Sequence, residues 1–516
     1  MKKRLQLCFI LFIFLHFGSF KLSSQQVNSI YFLENIPARN LLNPAFQPVS
    51  DFYISLPVIG YTQVDISNNS VALNDLFYKQ NGQTISFLEN QNGINHFLSK
   101  LQPISVLQTD FETNLLSFGG KTNDIGWNFS LIEKLNIKTS FPADMFKLIL
   151  AGTPDILHNA YDLSSLEIDT LLYTEAAFGI SKQVNDKLVV GGKIKLLLGS
   201  TNISNVNQKL NLNAGLENWN LVAQGSINTS YSSNALFSNF SLMPNDLNNI
   251  FKFTGMGLAF DVGAIYKLSP RLTLSSALLD VGFINWNKSP KNFNYKTDFN
   301  FNGLAQLTST MSTNQLNQSL DRFNYMSQVL DSVVTAFKNA TQIDSTSNSY
   351  QTSPTAKLNF GIEYALWQNW LHIGCLSHTK LYHRTMTEEI TMSAITSPTE
   401  WLNASLSYSL FNGNFASIGS SVAITTGIFQ WYIGADYIPF QKADFKLSTF
   451  YPSLSGITVP LPYQTKAYNF SAGMQLVFYK LDKKQREKLR HVRKLNDWNG
   501  LHEKLSPSND CNCYFN

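Results

Sequence analysis

Charge is what this 516-residue sequence has least of: Asp, Glu, Lys and Arg make up 14% of it, against roughly 25% in an ordinary soluble protein. Long apolar runs are missing as well. After the first 20 residues no stretch approaches the ~18 uninterrupted apolar residues of a spanning helix. Catalytic signatures are missing too. There is no G-x-S-x-G elbow, no H-E-x-x-H and no Walker-type or dinucleotide glycine motif. No catalytic, cofactor-binding or metal-ligating set emerges, and the chain reads as a non-enzyme.

Aromatics are abundant instead, 13% of the chain with 38 Phe and 21 Tyr. Few charges, many aromatics and no spanning helix together favour a β-barrel that hides its hydrophobicity by alternation. The stretch Ala467 to Tyr479 shows the pattern best. Tyr468, Phe470, Ala472, Met474, Leu476 and Phe478 fall on one face of a strand. Asn469, Ser471, Gly473 and Gln475 fall on the other, because successive side chains point to opposite sides. A soluble sandwich strand matches this once; the sequence repeats it many times.

The N-terminus sets the compartment. Lys2, Lys3 and Arg4 precede an apolar core, Leu5 to Phe17, and small residues follow at Ser23 and Ser24. Residues 1–24 therefore read as a secretory signal peptide, and Cys8 leaves with it. Lys2, Lys3, Arg4 and Lys21 leave too, so the remaining basic residues equal the 35 acidic ones. That balance gives no argument for a nucleic-acid partner. Cys511 and Cys513 near the end read as free thiols or as a strained disulfide.

Residues 25–50 carry Asn35, Pro37, Asn43, Pro44 and Phe46, and the run Glu34 to Pro48 within them reads as neither helix nor central strand. The segment is expected either to plug or cross a barrel lumen, or to be an ordered extension without a gating role. Phe52, Ile54, Leu56 and Val58 then begin an alternating strand. Residues 51–480 read as the barrel, with about 14 strands and 12 to 16 admissible. Short turns are expected at 121–124, 184–187, 269–271, 368–369 and 412–414, alternating mostly with long polar insertions. A phase slip at Leu278-Leu279 predicts a β-bulge ahead of Asp280. Helical insertions are expected in the loops, the longest over Leu316 to Phe337. Residues 200–215 read as a strand or a loop. Residues 481–516 read as a basic periplasmic tail, which either contacts anionic lipid or a protein partner or is a solvated helix.

Strand phase places Lys187, Lys193, Lys195, Asp261, Lys267, Lys357, Glu363, His372, His378 and Asp436 in the lumen. Glu133 interrupts an otherwise apolar face formed by Trp127, Phe129, Leu131, Leu135 and Ile137. The mixed sign of the lumen argues against a strongly ion-selective pore. His372 and His378 are polar lumen residues unless strand neighbours supply a catalytic set.

Three stretches carry a resemblance: Glu34-Asn35-Ile36-Pro37 with Leu41-Leu42-Asn43-Pro44-Ala45-Phe46, the hairpin GLAFDVGAIYKL…LSSALLDVGFINW, and the closing GMQLVF. In these the chain resembles an uncharacterised family of secreted bacterial outer-membrane barrels. It is more remotely similar to the fatty-acid transport porin superfamily. The resemblance implies a barrel of about 14 strands with an N-terminal plug and assigns no activity. The expected fold is thus an all-β transmembrane antiparallel barrel in the bacterial outer membrane, in contact with its lipid. The leading expected function is passage or binding of a small hydrophobic or amphipathic solute. The alternative is a non-transporting scaffold or secretion accessory that binds periplasmic or cell-surface protein partners through its loops and tail.

Overall fold

Alternation organises every wall strand. In the closing strand Ala467–Phe478, Asn469, Ser471 and Gln475 are buried while Phe470 and Phe478 are exposed. Leu188–Ala214 likewise turns Lys193 and Lys195 inward and Ile194 outward, 72% exposed. A soluble fold would reverse this, so the side covered by protein is the polar one.

The structure is a computed structural model. It describes residues 28–34, 36–80, 83–151, 160–214, 219–231, 252–301, 341–367, 370–382, 385–399, 401–411, 415–436, 442–446, 458–462 and 466–479. The expected signal peptide, Asn35, the helix over 316–337, most of residues 439–465, the basic tail and the turns at 368–369 and 412–414 lie outside the described residues.

Fourteen antiparallel strands close into a barrel. The first comes in two halves, Phe52–Ser55 and Thr62–Asn68. Ile104–Thr122, Ile125–Pro142, Glu167–Asn185, Leu188–Ala214, Gly255–Ser269, Leu272–Trp286 and Ala356–Trp367 follow in order. Leu371–Tyr382, Thr385–Thr399, Leu402–Phe411, Phe415–Thr426, Phe429–Asp436 and Ala467–Phe478 complete the wall. Ala467–Phe478 pairs with both halves of the first strand, which closes the ring and leaves no free edge.

The connections are asymmetric. Two-residue turns join Thr122 to Ile125, Asn185 to Leu188, Ser269 to Leu272 and Thr426 to Phe429, all at one end. Phe411 pairs with Phe415 at the opposite end, where the long connections lie. Beyond that end Leu188–Ala214 continues past the wall and pairs with Trp219–Tyr231. Pro290–Phe301 and Gln342–Thr346 extend this outer sheet. Residues 200–214 are therefore strand.

The outer face of the wall is apolar. Phe178, Ile180, Leu258, Phe260, Leu406 and Ile433 are all at least half exposed. Trp367, Trp370, Trp401 and Trp431 are exposed toward the short-turn end, and Trp367 and Trp370 stack at 5.3 Å. Aromatic rings gathered at one rim of an apolar belt are what a membrane interface selects. No helix among the described residues is long and apolar enough to cross a membrane.

A lumen filled in layers, and a break in its wall

Strand Leu188–Ala214 samples the lumen level by level. Near the short-turn end Gly191 faces Pro44 at contact distance. One inward position on, Lys193 Nζ donates to Asn40 Oδ1 at 2.7 Å. Next, Lys195 joins a set of ion pairs. Then Leu197 packs with Trp286 and Ile284. The N-terminal segment, buried charge and an apolar outer cluster thus succeed each other along one strand.

The N-terminal segment lies inside the barrel. Ile30, Tyr31, Phe32, Leu33, Ile36 and Leu42 pack against the inward residues Tyr61, Leu376, Ile395, Ala423 and Tyr432. Pro37 opens the short helix Pro37–Leu41, where its fixed φ suits the first turn. Asn43 Oδ1 accepts from Ala45 N at 2.9 Å, a local turn bond typical of Asn.

The wall supplies the remaining polar partners. Asp436 Oδ2 accepts from Asn28 N at 2.7 Å and Ser29 N at 3.4 Å. The Ser405 and Ser421 hydroxyls donate to Ser29 O at 2.5 and 2.8 Å. Asn359 Nδ2 donates to Leu42 O at 2.8 Å. Arg39 Nε donates to Tyr31 O at 2.8 Å, and its guanidinium lies 4.0 Å from the Phe46 ring centroid. Burial pushes the Tyr31 hydroxyl above its usual pKa, so it stays neutral beside Ser275 Oγ at 3.1 Å. Gly374 makes room for the Phe32 ring, since a Cβ there would lie 2.5 Å from it.

Beyond the segment, charges bridge the walls. Lys380 reaches Asp110 at 2.9 Å, and these residues stand on the ninth and second strands of the ring, opposite each other. Lys357 reaches Glu112 at 3.1 Å, and Lys134 reaches Glu175 at 2.8 Å. Lys195 reaches Asp261 at 2.8 Å and Asp280 at 2.5 Å. Asp280 is the hub, also 3.4 Å from Lys134 and 3.8 Å from Lys357. It sits in the expected bulge with φ at 59°, a strained value for a residue with a side chain.

On the outer side of this bridge is a cavity of about 640 Å³. Asn136, Lys138, Glu167, Asp169, Asn202, Ser204, Asn228, Gln351 and Thr352 line it, with Asp110 and Asp280 among its lining residues.

The wall itself is interrupted once within its first strand. Alternation predicts a strand running on through Leu56 and Val58, but the regular ladder stops at Ser55 and resumes at Thr62, with single backbone bonds from Val58 N to Asn114 O, from Asn114 N to Tyr61 O and from Met474 N to Ile59 O between. Pro57 has no N–H to give the ladder, Val58 adopts φ 64°, and Gly60 N turns back to Leu56 O at 2.7 Å. Six residues, 56 to 61, therefore face only Gly473 and Met474 of the neighbouring strand. Val58 and Ile59 are pushed outward, 57% and 54% exposed. They overhang a cleft of about 620 Å³ lined by Val422, Ile424, Trp431, Ile433, Ala472 and Met474. Tyr432 and Gly473 also line this cleft, and Tyr432 belongs to the apolar cluster inside the barrel.

Of the residues placed in the lumen by phase, Lys193, Lys195, Asp261, His378 and Asp436 are buried there. Lys357 joins the ion bridge. Glu363 and His372 pair at 2.7 Å, and His378 Nδ1 lies 2.5 Å from Asn359 Oδ1. Lys187 differs: it stands in the exposed turn after Asn185, where the chain leaves the wall. Lys267 is exposed at the short-turn end. Pro37, Asn43, Pro44 and Phe46 are all inside the barrel with the N-terminal segment. Phase reading did not find Asp110, Glu112, Lys134, Glu175 or Asp280. The first four lie on the inward phase of their strands, and that phase was the available signal; Asp280 is buried next to the buried Leu279 in the bulge, where alternation fails.

Several solved barrels are similar in outline. The Ralstonia pickettii toluene transporter TbuX is 10% identical, with 86% of this chain and 95% of that one covered at a TM-score of 0.38. A Pseudomonas aeruginosa FadL homologue is 11% identical, covering 90% and 100% at 0.37. The translocator domain of autotransporter NalP from Neisseria meningitidis is 9% identical, covering 88% and 100% at 0.30. Such likeness lies in barrel architecture and says nothing of a solute. No curated protein matches the sequence. Residues 44–436 match a family of unknown function, DUF5723, and the chain belongs to that family.

Proposed function

We propose that this protein is a gated outer-membrane transporter of small apolar or amphipathic solutes, closed in the conformation described. The N-terminal segment is its plug. The ion bridge closes the outer side, and the interruption at Leu56–Tyr61 is the passage between lumen and bilayer. One observation carries the reading. The apolar cleft on the lipid side and the apolar cluster around the plug share Tyr432, across a wall whose first strand is broken at that level. An apolar solute moving between the two stays out of water, which is favourable at about 25 cal/mol per Å² of apolar surface.

The ion bridge favours a second reading, a non-transporting scaffold, because it ties opposite walls together. The two readings part in one assay. Cells expressing the protein should take up radiolabelled dodecanol faster than cells with an empty vector, with the difference lost on deleting Pro57–Gly60. Equal uptake with and without the protein supports the scaffold.

A further inference from the structure

Glu133 faces the lipid. It alternates with the lumenal Lys134 on Ile125–Pro142, and apolar outward residues flank it along the strand, Leu131 on one side and Leu135 on the other. A carboxylate at such a position is costly in hydrocarbon and marks a site by default.

It does not stand alone. Register sets Thr62 opposite Thr113, Thr113 opposite Glu133, and Glu133 opposite Thr174. This makes one polar row across four neighbouring strands, and it starts at the cleft, which Thr62 lines. With strands about 4.8 Å apart, Glu133 stands roughly 10 Å around the wall from Thr62.

The hydroxyl protons in the row are already committed. Thr174 Oγ1 donates to Glu133 Oε2 at 2.6 Å. Thr62 Oγ1 donates to Val58 O at 2.6 Å, so in its 3.0 Å contact with Thr113 the proton comes from Thr113. A hydroxyl has one proton to give. Among the described residues no donor reaches Glu133 Oε1. Thr113 and Thr174 are themselves buried, so what the row offers the bilayer is an acceptor, the free oxygen of the partly exposed Glu133 carboxylate.

We propose that this row and the adjoining cleft form a lipid-side binding site for an amphipath with a hydrogen-bond-donating, preferably cationic, head, such as a long-chain amine. The head meets Glu133 and the tail lies in the cleft under Val58 and Ile59. This deepens the transport reading and rests on it, because it assigns a head-group preference at the proposed passage. An ionised Glu133 repels a carboxylate head, so alkyl carboxylates are the disfavoured class.

The test uses the purified full-length protein in detergent and saturable quenching of Trp431 by brominated dodecylamine, dodecanol and dodecanoate. The W431F variant identifies the Trp431 contribution. The amine should bind at least tenfold more tightly than the carboxylate, with the alcohol between them. E133Q should remove that preference while leaving alcohol binding and the heat-modifiable gel shift of the folded barrel unchanged. Equal binding of amine and carboxylate, or an amine preference that survives in E133Q, would overturn the head-group assignment alone. Absence of saturable quenching by the alcohol would instead count against the cleft and the transport reading beneath it. If E133Q shifted a dimer to monomer with no change in amine preference, a second copy rather than an amphipath would cover the row, and the proposal would fail.

Discussion

Asp280 acts through its backbone as much as its carboxylate. The bulge that gives it a positive φ swings the side chain into reach of three lysines and lets its N–H donate to Asp261 Oδ1 at 2.8 Å. Buried ion pairs add little net stability, but losing one partner strands the others. D280A should destabilise the barrel by about 3–5 kcal/mol, measured by urea unfolding in lipid vesicles. A cost below about 1 kcal/mol would mean the lysines find water. At Gly374 the constraint is space. G374L would claim the place of the Phe32 ring, an overpacking cost of about 1–3 kcal/mol. That raises the displaced population of the plug by roughly 5–150-fold. Arg39, buried in the closed form, should then be cleaved by trypsin at least fivefold faster; an unchanged rate would place the segment's grip elsewhere. The phase of Lys193, Lys195 and Asp436 was readable because each has apolar neighbours in sequence on both sides. Lys187 misled because the same phase runs on into a turn, where it loses its meaning. Asp280 could be seen only as a bulge, since its partners come from strands far apart in sequence.

Among the elements, the first strand departs most from its sequence pattern. Phe52, Ile54, Leu56 and Val58 alternate, yet Pro57 and Gly60 divide the strand, and only the partner strand's register shows how many residues are surplus. Leu188–Ala214 departs the other way. Its polar half looked like loop or strand because, once past the wall, it has no lipid face to keep apolar. Thr385–Thr399 gave no clear signal, as Glu388 and Glu389 disrupt its pattern. The irregular course of the N-terminal segment was legible in outline from its prolines and Asn43-Pro44. Its binding surface was not, because the Ser405, Ser421, Asn359 and Asp436 contacts join distant parts of the chain. If the N-terminal segment is the plug proposed above, it and the ion bridge obstruct the lumen in series. Deleting residues 28–48 should leave planar-bilayer conductance low, while adding K357S and K380S to the deletion should raise it severalfold. Full opening on deletion alone would show that the bridge is no barrier.

For the whole molecule, location rests on which face of the wall is oily. I194R places a guanidinium on the most exposed large apolar side chain among the described residues of its strand, and a charge on the lipid face of a barrel costs about 2–4 kcal/mol at the midplane. V184R, close to a short turn, should cost about 0–1 kcal/mol. Equal costs in vesicle unfolding would argue against a membrane belt. Barrel, belt and approximate strand number followed from alternation, low charge and aromatic content, properties that survive without any contact information. The filled lumen and the wall break did not, since both depend on which strands meet.

The most direct measurement removes the surplus of the first strand. Deleting Pro57–Gly60 leaves Leu56 and Tyr61 opposite Gly473 and Met474, in register with the neighbouring strand. The cleft's overhang then goes while the barrel closes as before. Cells carrying this variant should keep normal levels of folded protein but take up radiolabelled dodecanol no faster than cells without it. Uptake at the wild-type rate through the straightened wall would show that the break is not the passage.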